Sequence, residues 1–435
     1  MMNICPATSS LRLSSSTRLL ILSLLALSTT ILSNRSEAGD WPQILGPNRN
    51  GQANGEKIAA WPASGPRTLW TYTIGEGFSG PSVVGNSVIV FHRVDNKEGT
   101  EFERIEAVNA QTGKQVWKTD FDATYAGGIN PDTGPRSVPV IAGDAIVAYG
   151  AAGDLHCLAL KDGKKRWSRE TWSDFNAPQG YFGAGTTPIV VGKHVIVNVG
   201  GRQGSIVAFN LADGKMVWSA VQDTASYSSP SLTKVGGKTV VIFLTRLKCV
   251  ALDPVDGKVQ FEFPFGQRGP TVNAATPLVF KDKFFITASY GIGGKLIEVG
   301  KEKLSTVWEN DTSLSSQYNT PIHHEGFLYG SHGREDGGST SLRCIDATNG
   351  DVKWSIDQST VANVIKADEL LITLTADGNL SLVKLDSKKH VELAKYSVAA
   401  GVTRALPALS NGKLFIRING NGKNELKCFD LSPKK

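Results

Sequence analysis

Four short segments of this chain, NAQTGKQVW (109–117), ALKDGKKRW (159–167), NLADGKMVW (210–218) and DATNGDVKW (346–354), end in Trp four residues after a Gly. A pattern that returns at an interval of roughly forty to fifty residues constrains the fold more than any composition, because it means one supersecondary unit repeated. Between the copies, apolar and polar residues alternate with period two, and Gly, Asn or Asp stand at the turns, as in SSPSLTKVGGKTVVIFL and TTPIVVGKHVIVNVG. That alternation predicts antiparallel strands, and a unit of this length predicts the four-stranded blade of a propeller.

Each unit opens with a Pro-led strand pair, continues with a third strand and a tight Gly turn, and ends in a fourth strand near Trp. Third strands are predicted at IEAVNA (105), LHCLAL (155), IVAFNL (206), LKCVAL (247), LIEVGK (296), LRCIDA (342), LSLVKL (380) and LKCFDL (426). Fourth strands follow at Trp117, Trp167, Trp218, Phe261, Trp308, Trp354 and the degenerate HVELAKY, and the chain ends just after the eighth third strand. PRTLWTYTIG, with Trp70, has the character of the missing fourth strand. The expectation is an all-β chain: an eight-bladed β-propeller of four-stranded antiparallel blades over residues 66–435, closed by the N-terminal strand around Trp70. Closure removes sheet edges that would otherwise recruit other chains.

The segments AVNAQTGKQVW, AFNLADGKMVW, ALDPVDGKVQF and CIDATNGDVKW resemble the tryptophan-docking repeat of pyrroloquinoline-quinone (PQQ) type propellers, with a small residue first, Asn or Asp third, Gly seventh and an aromatic eleventh. Gly suits the left-handed turn between the two outer strands, and the aromatic ring fills the space between neighbouring blades. Two copies depart from the pattern. The fifth has Leu304 where Gly is expected and the seventh, LVKLDSKKHVE, has neither Gly nor Trp, so those blades are expected to close less regularly. The opening WPQILGPNRNG, with Trp41, is similar to the N-terminal stretch of secreted PQQ-like proteins, which implies a strap over residues 39–65 that also holds Trp61.

Residues 1–38 read as a signal peptide, with Arg12 and Arg18 before the apolar run of residues 19–32 and small residues around Ser36 and Ala38. The expectation is an exported, periplasmic or secreted protein with no membrane span after cleavage. Cys5 precedes the apolar run, so the usual lipid-attachment arrangement is absent. The formal charge of +6 falls to +4 without this segment, too mild an excess to argue for nucleic acid. The other four cysteines fall in third strands of blades two, four, six and eight; no two blades adjoin, so Cys157, Cys249, Cys344 and Cys428 are expected to be unpaired, small buried residues.

Six of the nine Trp are absorbed by docking or closure, leaving function to the loops that join one blade to the next on one face of the ring. Candidates there are Tyr125 and Arg136 in DFDATYAGGINPDTGPR, Trp172, Phe175 and Tyr181 in TWSDFNAPQGYFGAGTTP, and Arg404 in VTRALP. Arg136 and Arg404 each precede a blade's Pro by three residues, so both should project near the channel, where two guanidinium groups favour an anionic ligand. The plainer readings are ion pairing for the arginines and a core position under the loop for Trp172. His323-His324 is the one adjacent His pair, expected in a strand-to-strand turn, and no HxxxH, CxxC or GxSxG spacing occurs. No catalytic or metal-binding residue is assigned.

The resemblance implies two functions of different kinds. A PQQ-dependent dehydrogenase would use the quinone with calcium and an Asp base, but such relatives carry adjacent cysteines and longer insertions that this chain lacks. A BamB-like propeller of the outer-membrane assembly machinery would instead be a binding scaffold without a cofactor, its partner another envelope or secreted protein or a small anionic ligand. The second reading is favoured.

Overall fold

In the computed structural model, which describes residues 39–433 apart from 97, 130, 131, 301, 302, 399, 400 and 421, the docking motif acts between blades. Gly163 turns the chain at φ +69 between third and fourth strands, and a Cβ there would lie 2.3 Å from the ring of Trp117 in the preceding blade. The same seating joins Trp70 to Gly113, Trp167 to Gly214, Trp218 to Gly257 and Trp308 to Gly350. Each indole N–H then donates to the fourth motif residue of the following blade: Trp70 to the Ala110 carbonyl at 3.1 Å, Trp117 to Leu160 at 3.1 Å, Trp167 to Leu211 at 2.9 Å, Trp218 to Pro254 at 3.3 Å and Trp308 to Ala347 at 3.0 Å. A buried indole needs such an acceptor, so each contact fixes both distance and orientation. Gly is required at the seventh position because the neighbour's ring lies on it, as well as for its turn.

The described residues form eight four-stranded antiparallel sheets. Blade one is Ser82–Val84, Ser87–Asp95, Glu101–Asn109 and Gln115–Asp122, and the next six repeat that order. Blade eight contains Ala408–Ser410, Lys413–Asn419 and Asn424–Asp430, and its outer strand is Arg67–Ile74, with Trp70 opposite Cys428. The eight-bladed ring and its closure are therefore as the repeat pattern predicts. The signal segment 1–38 lies outside the described residues. Among the described residues, no helix is long and apolar enough to cross a membrane.

Blades five and seven close less regularly, as expected, through a shift in register. Leu296 faces Trp308 and Leu382 faces Ala394, so each turn is two residues longer than in the other copies, where Ala107 faces Trp117 and Cys344 faces Trp354. Leu304 is consequently the first residue of the fourth strand Leu304–Asn310 and does not occupy the turn. The preceding blades adapt: Phe261 stacks on Phe284 at 5.9 Å, and Trp354 meets His390 edge-on at 5.4 Å while donating to the Asp386 carbonyl at 2.8 Å. His323 and His324 also depart from expectation, since both lie within the strand Ile322–His324, His323 stacked on Phe280 at 4.1 Å.

Cys157, Cys249, Cys344 and Cys428 are free and buried. Burial raises all four thiol pKa values, to about 11 at Cys157 and Cys344 and about 12 at Cys428. Denaturation without reductant should release four reactive thiols from a chain lacking residues 1–38, while the native protein stays inert to thiol reagents. A mapped intramolecular disulfide would contradict the blade assignment.

At the junction of blades one and two, Glu103 is 3% exposed and its Oε1 accepts from the Ala151 N–H at 2.8 Å. Burial, with a smaller contribution from Asp154, pushes its pKa up to about 7, against the opposing pull of the Ala151 hydrogen bond and Arg93. A raised acid pKa gives stability that is complete below the unfolded value near 4.5 and is lost as pH rises through about 7. Relative to Glu103→Gln, the wild type should thus lose about 3 kcal/mol between pH 4.5 and 8, read by urea unfolding at several pH values. Parallel stability curves for the two proteins would show that this carboxyl titrates normally.

Residues 39–65 run along the face that carries the first-to-second strand turns. Trp41 bridges Val83, Glu56 accepts from the Asn411 and Gly412 N–H groups, and the Ala53 and Lys366 backbones are hydrogen-bonded. From this strap Arg49, 2% exposed, donates to the carbonyls of Thr187, Pro188 and Pro230 on two inner segments. Ile44 and Leu45 pack with Val138 and Leu406, closing the channel beneath the opposite face.

Candidate functional site

Seven of the inner strands follow a Pro, and the residue three places before that Pro is Phe78, Arg136, Gly185, Tyr227, Ala274, Tyr318 or Arg404. All seven line one funnel of about 500 Å³, with Ile44 of the strap also in its lining. Small hydroxyl residues just after these positions tie neighbouring blades together. Ser79 Oγ donates to the Ser137 carbonyl at 2.7 Å, Thr186 Oγ1 to Ser228 at 2.9 Å and Ser228 Oγ to Ala275 at 2.8 Å. The funnel side chains therefore stand on a belt of inter-blade hydrogen bonds.

Phe78 enters blade one, between Arg404 of blade eight and Arg136 of blade two. The two guanidinium carbons lie 5.4 and 5.5 Å from its ring centroid, so one ring carries two cation–π contacts. Arg404 Nε donates to Glu335 at 2.7 and 2.9 Å, and Tyr318 Oη donates to the same carboxylate at 2.9 Å. Burial opposes the charge of Arg404, but Glu335 outweighs it and raises the pKa overall. Arg136 donates to the carbonyls of Gly134 at 3.0 Å and Asp132 at 3.1 Å, and burial lowers its pKa despite nearby Asp132. Tyr227, whose Oη accepts from the Phe182 N–H at 2.8 Å, is pushed up to about 12 by burial and remains neutral.

The candidate residues divide by location. Arg136 and Arg404 meet in the funnel, as their common offset from Pro predicts, and Arg404 is ion-paired. Tyr181 is 41% exposed at the rim, where its carbonyl accepts from the Ile129 N–H at 3.1 Å; Ile129 is 70% exposed. Tyr125 is buried beneath the same loop, its ring against the position a Gly183 Cβ would take. Phe175 is buried edge-on to Phe209 at 6.0 Å. Trp172 belongs to a short helix, Thr171–Phe175, where a loop is expected, and its ring covers Gly153, where a Cβ would lie 2.5 Å away. Phe78, Tyr227 and Tyr318 escape the sequence reading, although the offset that selects Arg136 and Arg404 also selects them.

The funnel's donor set does not fit calcium beside a quinone. Calcium takes about six to eight oxygen ligands, whereas Glu335 is bound to Arg404 and Tyr318, and Asp336 to Arg334 at 2.9 Å and to Gln317 at 3.1 Å. No group of three or more His, Cys, Asp or Glu side chains able to hold a metal ion occurs among the described residues.

Tryptophan-docked blades, a closed ring and a lined funnel define an eight-bladed PQQ-like propeller. A family model described as outer membrane protein assembly factor BamB matches residues 101–356, and the chain belongs to this PQQ-like β-propeller family. The outer membrane protein assembly factor BamB of Burkholderia pseudomallei is 22% identical over 371 residues, covering 72% of this chain and 86% of that protein. Among solved structures, BamB from Moraxella catarrhalis superposes with a TM-score of 0.60 at 14% identity, covering 86% of this chain and 99% of its own. Quinohemoprotein alcohol dehydrogenase from Comamonas testosteroni superposes with a TM-score of 0.67 at 13% identity, covering 91% and 81%. At these identities the two structures share the fold alone, and the fold does not choose between a scaffold and an enzyme.

Proposed function

We propose that this protein is a non-catalytic binding scaffold of the cell envelope, docking a protein partner on its funnel face. The observation that carries this reading is the make-up of that face: exposed Ile129 and Tyr181 stand at the rim, over arginines and carboxylates already bound to one another. Apolar and aromatic anchors around engaged polar groups suit a protein surface, where Tyr and Arg concentrate binding energy. A rigid funnel floored by its own strap changes little on binding, which lowers the entropic cost of association. An envelope location is supported by the Arg-flanked apolar run at residues 19–32 and by the printed names of the BamB relatives.

Photo-crosslinking amino acids placed in cells at 129 and 181, and at Val255, test the proposal. Val255 is as exposed as Ile129 but lies in the turn between third and fourth strands, on the other face. Discrete protein adducts at 129 or 181 and none at 255 are expected; adducts at 255 alone would overturn the assignment of this face. Titration of the purified protein with PQQ and calcium supplies the opposing arm, since saturable binding with a shifted quinone absorbance would favour the dehydrogenase reading.

A further inference from the structure

Beside the funnel, with Gly185, Tyr227 and Val272 lining both, a second chamber of about 260 Å³ opens between blades two, three and four under residues 177–185. Aromatic side chains form much of its wall: Tyr149, Trp172, Tyr181 and Tyr227. Trp172 is held there by its seat on Gly153, so the chamber offers a fixed apolar surface.

Two polar groups in the lining, an amide with an unmatched donor and a guanidinium with no carboxylate among the described residues, can meet a ligand. Asn198 is 1% exposed, and its Oδ1 accepts from Ser205 Oγ at 3.2 Å. Its Nδ2 has no hydrogen-bond partner among the described residues. Buried donors are almost always satisfied, and an orphan lining a cavity points to an acceptor brought by a ligand. Arg246 donates to the carbonyls of Gln267 at 2.8 Å and Gly269 at 2.7 Å and to Thr271 Oγ1 at 3.1 Å. All three acceptors are neutral, and no carboxylate pairs with Arg246 among the described residues.

We infer that this chamber binds a small cyclic carboxylate, its flat face against Trp172 and Tyr227, a ring oxygen or hydroxyl accepting from Asn198 Nδ2, and its carboxylate at Arg246. The volume lies just below the roughly 300–1,000 Å³ of sites for drug-sized molecules, which limits the ligand to about one ring. A sugar acid and an aromatic acid present this same chemistry, since both combine a flat apolar face with a carboxylate and a ring oxygen or hydroxyl. The inference is independent of the funnel's protein partner.

Calorimetric titration of the full chain with galacturonate and with 4-hydroxybenzoate tests it, galactose and phenol serving as uncharged counterparts. Saturable binding of one acid is expected, weakened about tenfold or more by loss of the carboxylate, by Arg246→Gln and by Asn198→Ser, and accompanied by a fluorescence change that Trp172→Phe removes. Binding of galacturonate alone assigns the sugar acid, and binding of 4-hydroxybenzoate alone the aromatic one. No binding of either acid up to about 10 mM overturns the inference. So does binding indifferent to both Arg246→Gln and Asn198→Ser in variants with unchanged circular dichroism, or binding abolished by Arg136→Gln and not by Arg246→Gln, which would move the acid to the funnel.

Discussion

Deletion of residues 39–75 is expected to turn a closed propeller into an aggregating chain. The deleted segment contains the strand Arg67–Ile74, which pairs with Asn424–Asp430 through seven residue pairs from Arg67 with Asp430 to Ile74 with Asn424. Without it blade eight ends in an open strand edge, a template for pairing with other chains. The same cut removes Trp70, whose ring lies on Gly113 and whose N–H bonds to Ala110, so the junction between blades eight and one is lost as well. The buried cluster that joins Trp41, Trp61 and Trp70 to the inner strands of blades one, seven and eight would be opened to water. Size-exclusion chromatography and thermal unfolding check the result; a truncated chain that stays monomeric with an unchanged Tm would show that closure does not depend on this segment.

Trp218→Ala should cost about 3–5 kcal/mol, because it removes a large ring from between blades three and four and leaves a cavity. Trp218 is 8% exposed, and a Cβ on Gly257 would lie 2.6 Å from it. Gly257→Ala alone should cost about 2–4 kcal/mol, combining the strain of φ +74 with overpacking against the indole. In the Trp218→Ala background the clash disappears, and the same substitution should cost only about 1–2 kcal/mol. A double-mutant cycle by urea unfolding reads the difference as coupling. Additive effects would mean that the ring does not rest on Gly257.

These contacts show why the ring was legible and its surface less so. The period of the repeat, the strand order within each blade and the closing role of Trp70 are carried by local spacing: a turn residue, an alternating strand and an aromatic at a set distance impose the same unit each time. The departures at Leu304 and in LVKLDSKKHVE were visible too, but not their outcome. Whether a turn lengthens by two residues, as it does where Leu296 faces Trp308 and Leu382 faces Ala394, depends on how the neighbouring blade packs.

The site divides in the same way. Arg136 and Arg404 could be placed near the channel because both stand at a fixed offset from an inner-strand Pro, and that offset by itself also pointed to Phe78, Tyr227 and Tyr318. Residue type alone suggested Tyr125 and Phe175, yet both are buried under the loops that carry them. By itself, the sequence determined an eight-bladed ring and its strand order, because a local pattern is repeated in every unit, and the means of its closure, because the last unit lacks a fourth strand and an unpaired one precedes the first. Only the tertiary structure decided that Phe78 lies between two guanidinium groups, that Glu335 neutralises Arg404, and that Asn198, its Nδ2 without an acceptor among the described residues, lines a chamber, because each of these depends on how different blades meet as the ring curves.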